Sequence, residues 1–269
     1  MGKPMRRIVA IACEGETLLA TLDGPSDATI GWLFATGGSQ TRVGPHRLYE
    51  RLAYRLAQAG HAVIRIDRRG VGDSSGNDRG YLASEPELTA AMKLLRATFP
   101  KLNQYLGFGL CDGSTALALF GDRLGLTDLV LANPWVIEPT GDLPPAAAIR
   151  GHYARRLVDP AAWIRLLRGG VKIGRLARGI AHSIQREDDT LARRFAEGLR
   201  GEALVVLADG DGTAQSFASA WRALPTKPIV TTLRIATASH SFADQPAFEA
   251  LAAAMLSAVA TGAKVTRRR

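Results

Sequence analysis

The chain opens with two short alternating stretches, "RRIVAIAC" and "ETLLATLDG", separated by Glu14-Gly15. Alternation of apolar and polar positions turns one face of a strand inward, and a glycine-containing break between two such runs predicts a β-hairpin. The pattern then changes character. "ATIGWLFATGG" is an apolar run closed by glycines, as expected of a strand buried on both faces. "PHRLYERLAYRLAQAG" spaces Leu48, Leu52, Leu56 and Ala59 at helical intervals, with Pro45 near its start and Gly60 as its stop. The alternation continues through the strand "HAVIRID", the glycine-rich loop "RRGVGDSSG" and the helix "EPELTAAMKLLRATFP". It runs on through the strand "YLGFGL", the helix "GSTALALFGDRLG" and the strand "DLVLANP". The strands "GEALVVLA" and "IVTTLRIA" and a helix from Pro246 to Ala260 complete it. Eight strands interleaved with helices predict an α/β fold: a mostly parallel sheet flanked by helices on both faces.

The alternation stops between Asn133-Pro134 and Gly201, where the sequence is helical and arginine-rich ("AAIRGHYARRLVDPAAWIRLLRGG", "LARRFAEGLR"). This places a helical cap at 135–200, inserted after the sixth strand into a core of 1–134 and 201–263, with a basic tail at 264–269. Charge follows the same division. The net +9 is made of +3 in residues 1–7, +4 in the tail and +7 in 146–200, leaving −5 for the rest. No nucleic-acid motif accompanies the basic residues, so the charge alone does not indicate DNA or RNA binding. The cap arginines are most simply the wet faces of helices, or, in the functional alternative, the receivers of an anionic substrate. No apolar run reaches the roughly 18–20 residues of a membrane span, and Ile8 to Cys13 is too short for a secretory signal, so a cytoplasmic location is expected. Two cysteines and five scattered histidines give neither a disulfide framework nor a zinc spacing, so no metal or cofactor is expected. Nothing in the sequence bears on oligomeric state.

Open α/β sheets bind ligands at the carboxyl ends of their strands, and four candidate groups fall there. Gly109-Leu110-Cys111-Asp112-Gly113 has the form G-x-nucleophile-x-G, a sharp strand-to-helix turn. Cys111 would sit at a helix N-terminus, where the dipole favours thiolate, and the Asp112 N–H would face a developing oxyanion. "ATGGSQ" follows the third strand, so Gly38 or Ser39 could supply a second oxyanion donor. Asp211 in "ADGDGT" could orient a histidine, and His240 in "ASHSF" could be that histidine. Asp209 in the same loop and Glu138 after the sixth strand are alternatives for the acid. His46 and Arg47, near the oxyanion loop, read as helix capping. Cys13 reads as structural. The order nucleophile, acid, histidine is that of the α/β-hydrolase triad.

Taken together, "GGSQTRVGPHRLYERLA", "RIDRRGVGDSSG", "GLCDGSTA", "LANPWV", "ADGDGTAQSF" and "SHSF" resemble the exosortase A system-associated hydrolases, over roughly residues 8–260. These are bacterial proteins encoded near exopolysaccharide and protein-sorting genes. The resemblance implies an α/β-hydrolase fold, with cysteine as the family's usual residue in the nucleophile elbow. The expectation is a hydrolase of an ester or thioester bond in a small-molecule acyl substrate, acting through Cys111, His240 and Asp211. Acyl transfer to a sugar or amine, and a non-catalytic binding protein with this fold, are the alternatives.

Overall fold

In the computed structural model the described residues are 5–137 and 190–265, with side chains described through 259. Strands β1 (Met5–Cys13) and β2 (Glu16–Gly24) form the hairpin. Its turn is carried by Glu14 and Gly15 at φ 49° and 85°, the left-handed pair a two-residue hairpin turn needs. The remaining strands are β3 (Ile30–Ala35), β4 (Ala62–Ile66), β5 (Gln104–Leu110), β6 (Asp128–Ala132), β7 (Glu202–Ala208) and β8 (Thr231–Ile235). They lie in one sheet in the order β1-β2-β4-β3-β5-β6-β7-β8, antiparallel up to the β2–β4 pairing and parallel from β4 onward. Strands β3, β4 and β5 are apolar along nearly their whole length because helices cover both faces.

On one face pack α1 (Leu48–Gln58) and α6 (Gln245–Val265). Leu48, Leu52 and Leu56 meet Phe248, Leu251 and Met255 over Trp32, Phe34 and Phe108 of the sheet. On the other face are α2 (Glu85–Thr98), α3 (Asp112–Phe120), α4 (Leu191–Gly198) and α5 (Gly212–Ala223). Leu88, Leu95, Leu117, Leu191, Phe195 and Phe217 form that layer. Each such fully buried side chain contributes about 1.5–3 kcal/mol of transfer free energy.

Three boundaries differ from the sequence expectation. Helix α1 begins at Leu48, because Pro45–Arg47 forms a separate 3-10 turn with His46 and Arg47 at φ 50° and 60°. Helix α4, grouped above with the cap, belongs to the core layer: Phe195 packs edge-on against Phe217 and Trp221, with ring centroids 5.4 and 6.0 Å away. Its buried Leu191 and Phe195 are one helical turn apart, so its polar remainder gives the segment a cap-like composition while one face is core. Helix α6 runs on to Val265, since one glycine among small residues costs only about 1 kcal/mol and does not end a helix. The rest of the expected cap, 138–189, lies outside the described residues, as do Glu138, the arginines of 146–189 and the tail beyond Val265.

Candidate active site

The loops at the carboxyl ends of β3, β5, β7 and β8 carry the candidate groups. Cys111, between β5 and α3, has φ 61° and ψ −124°, a backbone state that side-chain-bearing residues rarely adopt. Such a conformation costs of order 1–3 kcal/mol and persists only where its surroundings impose it. Here they do. A Cβ on Gly109 would lie 2.5 Å from the Ser114 nitrogen, and one on Gly113 would overlap the Ala35 carbonyl, so only glycine closes the turn. Ser114 Oγ donates to the carbonyls of Gly109 (2.7 Å) and Ala132 (3.0 Å). The Cys111 N–H donates to the Ala132 carbonyl at 2.9 Å, and the Cys111 carbonyl accepts from Trp135 N–H at 3.2 Å. The Cys111 side chain is buried and belongs to the core cluster that also holds Phe108, Leu110 and Phe242, and neither cysteine forms a disulfide.

The histidine and the acid meet across two loops. His240 Nδ1 lies 3.0 Å from Asp211 Oδ2. Asp211 is also the N-cap of α5, its Oδ2 accepting the Ala214 N–H at 3.0 Å, and the carboxylate is therefore fixed from two sides. Two backbone bonds tie the loops together: Asp209 N–H to the Ile235 carbonyl (3.0 Å) and Gly210 N–H to the Thr237 carbonyl (2.9 Å). Asp209, the alternative acid, turns outward and pairs with Arg234 at 2.6 Å, both side chains about half exposed. His240 Nε2 is buried, with no hydrogen-bond partner among the described residues. A neutral imidazole that donates through Nδ1 to a carboxylate presents Nε2 as an acceptor, the form a general base requires.

Asn133 completes this framework, and the sequence reading passed over it. Fully buried at φ 41°, it donates through Nδ2 to the His240 carbonyl (2.9 Å) and accepts the Ala208 N–H at Oδ1 (2.8 Å). One amide thus clamps the His240 loop to the strand end that leads into Asp211. The only signal in the sequence is an Asn-Pro directly after a predicted strand.

The oxyanion loop is built as a relay. Gly38 N–H donates to Asp112 Oδ1 at 2.6 Å, so this expected donor is already engaged by the side chain that follows Cys111. The Gly38 carbonyl accepts from Arg68 Nη2, which orients the Gly38–Ser39 peptide. Tyr49 Oη accepts the Gly37 N–H at 3.3 Å and donates to Gln40 at 2.8 Å. The Asp112 N–H heads α3, where helix geometry turns backbone donors outward. Arg47 pairs with Glu50 at 2.6 Å on the outside and is 70% exposed, apart from this network. Cys13 is buried in the hairpin and far along the sheet order from Cys111; burial raises its thiol above the ordinary range. Among the described residues no group of three or more His, Cys, Asp or Glu side chains is placed to hold a metal ion, and no helix is long and apolar enough to cross a membrane.

No protein-family model matches the sequence, and no curated protein matches it. Solved structures do. The esterase Pf2001 of Pyrococcus furiosus superposes with a TM-score of 0.66 at 15% identity, over 96% of this chain and 90% of the esterase. The dienelactone hydrolase of Anabaena variabilis gives 0.59 at 16%, over 95% and 96% of the two chains. The thioesterase domain from the curacin biosynthetic pathway gives 0.57 at 13%, over 94% and 99%. At these identities the likeness establishes the fold, an α/β-hydrolase fold, and leaves the chemistry to the residues of this chain.

Proposed function

We propose that this protein cleaves an ester or thioester bond of a small acyl substrate through a covalent intermediate on Cys111. The observation that carries the reading is the buried, unpartnered Nε2 of His240, with Nδ1 held 3.0 Å from Asp211, in a site whose elbow holds Cys111 in a strained conformation. His240 takes the thiol proton, and the Cys111 sulfur adds to the acyl carbonyl. The N–H groups of Asp112 and Ser39 stabilise the oxyanion, joined by Gly38 when Asp112 Oδ1 releases it. Collapse expels the alcohol or thiol, which leaves with the proton from His240. Water, deprotonated by His240, then attacks the thioester and returns Cys111 as a thiol. Asp211 stays ionised and keeps the imidazole in the tautomer that bears its proton on Nδ1.

Two further observations support acyl chemistry. The three structural neighbours named above are an esterase, a dienelactone hydrolase and a thioesterase domain, among other matches. The motif resemblance to the exosortase A system-associated hydrolases supports a role alongside bacterial exopolysaccharide and protein-sorting systems. The test is hydrolysis of a panel of aryl esters and acyl thioesters by the wild type, Cys111→Ala and Cys111→Ser. The alanine variant should lose activity by 10³-fold or more, on the order seen when a nucleophile is removed, and mass spectrometry should show an acyl adduct on Cys111 of the wild type. Undiminished turnover by Cys111→Ala refutes the assignment.

A further inference from the structure

Three arginines are almost wholly buried among the described residues: Arg65 (2% exposed), Arg68 (4%) and Arg69 (1%). Two are matched by carboxylates in short contact. Arg65 meets Asp23 at 2.9 Å; Arg69 meets Glu87 at 2.7 Å and Glu14 at 2.6 Å. Arg68 is treated differently. Its Nη2 donates to the Gly38 carbonyl and lies 3.5 Å from Asp78 Oδ2, while Nε and Nη1 are buried with no hydrogen-bond partner among the described residues. A guanidinium cannot shed its charge, and each N–H left unpaired in a water-poor setting raises its cost. The chain satisfies its other two buried arginines and leaves this one incomplete, at the oxyanion loop, one residue's length from the bond between Gly38 and Asp112.

We propose that Arg68 is an anion-recognition residue of the acyl site, receiving through Nε and Nη1 an acidic oxygen group, carboxylate or phosphate, borne by the substrate. The idea rests on the acyl-substrate reading above and adds its charge. Gly38 separates the two local charges: its carbonyl faces Arg68 and its N–H faces the Asp112 carboxylate, so an acid docked on Arg68 is kept apart from Asp112. The cap arginines are then not required for acid recognition. A buried charge-assisted hydrogen bond is among the stronger single contacts and is enough to discriminate an acid from its neutral isostere by ten- to hundredfold.

The test compares kcat/KM for p-nitrophenyl hydrogen succinate with that for its methyl ester, in the wild type, Arg68→Met and Arg68→Lys. The wild type should prefer the acid at least tenfold, Arg68→Met should bring the ratio to about one, and Arg68→Lys should fall between. A wild-type ratio near or below one overturns the proposal. So does an Arg68→Met variant that loses both esters in equal proportion, the result expected if Arg68 only holds the Gly38 carbonyl. A second arm reads binding without turnover: thermal stabilisation of Cys111→Ala by succinate or by inorganic phosphate, with and without Arg68→Met. Stabilisation by one anion, abolished by Arg68→Met, supports the site and identifies which acid it takes; stabilisation by neither refutes it. If the wild type cleaves no ester, the hydrolase reading falls, and the binding arm still decides the role of Arg68. If Arg68→Met does not fold, the Lys variant decides in both arms, with an undiminished preference and stabilisation overturning the guanidinium-specific role.

Discussion

Replacing Asn133 with alanine tests how the site is held together. The substitution removes a donor to the part-buried His240 carbonyl and an acceptor for the buried Ala208 N–H. A buried backbone group left unpaired costs about 1–3 kcal/mol. Alanine also lacks asparagine's tolerance for φ 41°, which adds about 1 kcal/mol. With the Ala208 N–H as the fully buried group, these give a destabilisation of roughly 2–4 kcal/mol, a large share of the 5–15 kcal/mol that holds an ordinary domain together. Urea unfolding followed by tryptophan fluorescence measures it directly. On the proposed mechanism catalysis should fall as well, because the His240 loop loses its tie to the β7 end. Asn133→Asp refines the argument: its carboxylate still accepts from Ala208 but places a charge against the His240 carbonyl. Its deficit should shrink as pH falls and the new carboxyl gains a proton to donate. An Asn133→Ala protein within 1 kcal/mol of wild type, with unchanged kcat/KM, would show that the clamp is not what fixes His240.

Other perturbations follow from the same geometry. Gly109→Ala should unfold readily or fail to accumulate, since its Cβ would lie 2.5 Å from the Ser114 nitrogen inside the elbow; thermal melts decide. Burial pushes the His61 imidazole below its usual range, while its Nδ1 accepts from Trp32 Nε1 at 3.2 Å. The unfolded chain therefore takes up a proton that the folded one refuses, and stability should decline as pH drops below about 6.5, by at most about 1.4 kcal/mol per pH unit. His61→Gln, which cannot titrate, should flatten that slope in pH-dependent urea curves. Glu50, hydrogen-bonded by Arg47 and Arg6 against a smaller opposing effect of burial, has its carboxyl lowered to about 2. Its contribution is complete above the ordinary carboxylate range and lost as pH falls toward 2; carbon-detected NMR titration should find Arg47→Ala moving the value upward.

Much of this architecture can be read from the sequence because buried parallel strands announce themselves as apolar runs bounded by glycine. The elbow is equally legible: glycines on either side of the nucleophile position are a steric requirement, because a Cβ at Gly109 or Gly113 would overlap the neighbouring backbone. Choosing between Asp209 and Asp211 is another matter. They sit two residues apart in one loop, and only the turn into α5 decides that one caps the helix beneath His240 while the other meets Arg234. Asn133 and Arg68 were invisible for a related reason. Each acts on backbone atoms contributed by distant segments, and a partner that is a carbonyl or an N–H leaves no residue type for sequence reasoning to find. Helix α4 misled through its neighbours, since four buried positions among eight are enough to join a core layer while Arg193 and Arg194 continue the arginine-rich run before it.

The Cys111 carbonyl accepts from Trp135, and Thr115 Oγ1 donates to the Trp135 carbonyl, so the chain is fastened to the elbow just before residue 138. Thr190 and α4 fasten it again on the far side, through Phe195 on α5. The intervening sequence is thus bracketed by two anchorages that belong to the core. Both ends of 138–189 are therefore held by core residues, so a change in the length of that stretch need not disturb the bonds that shape the elbow.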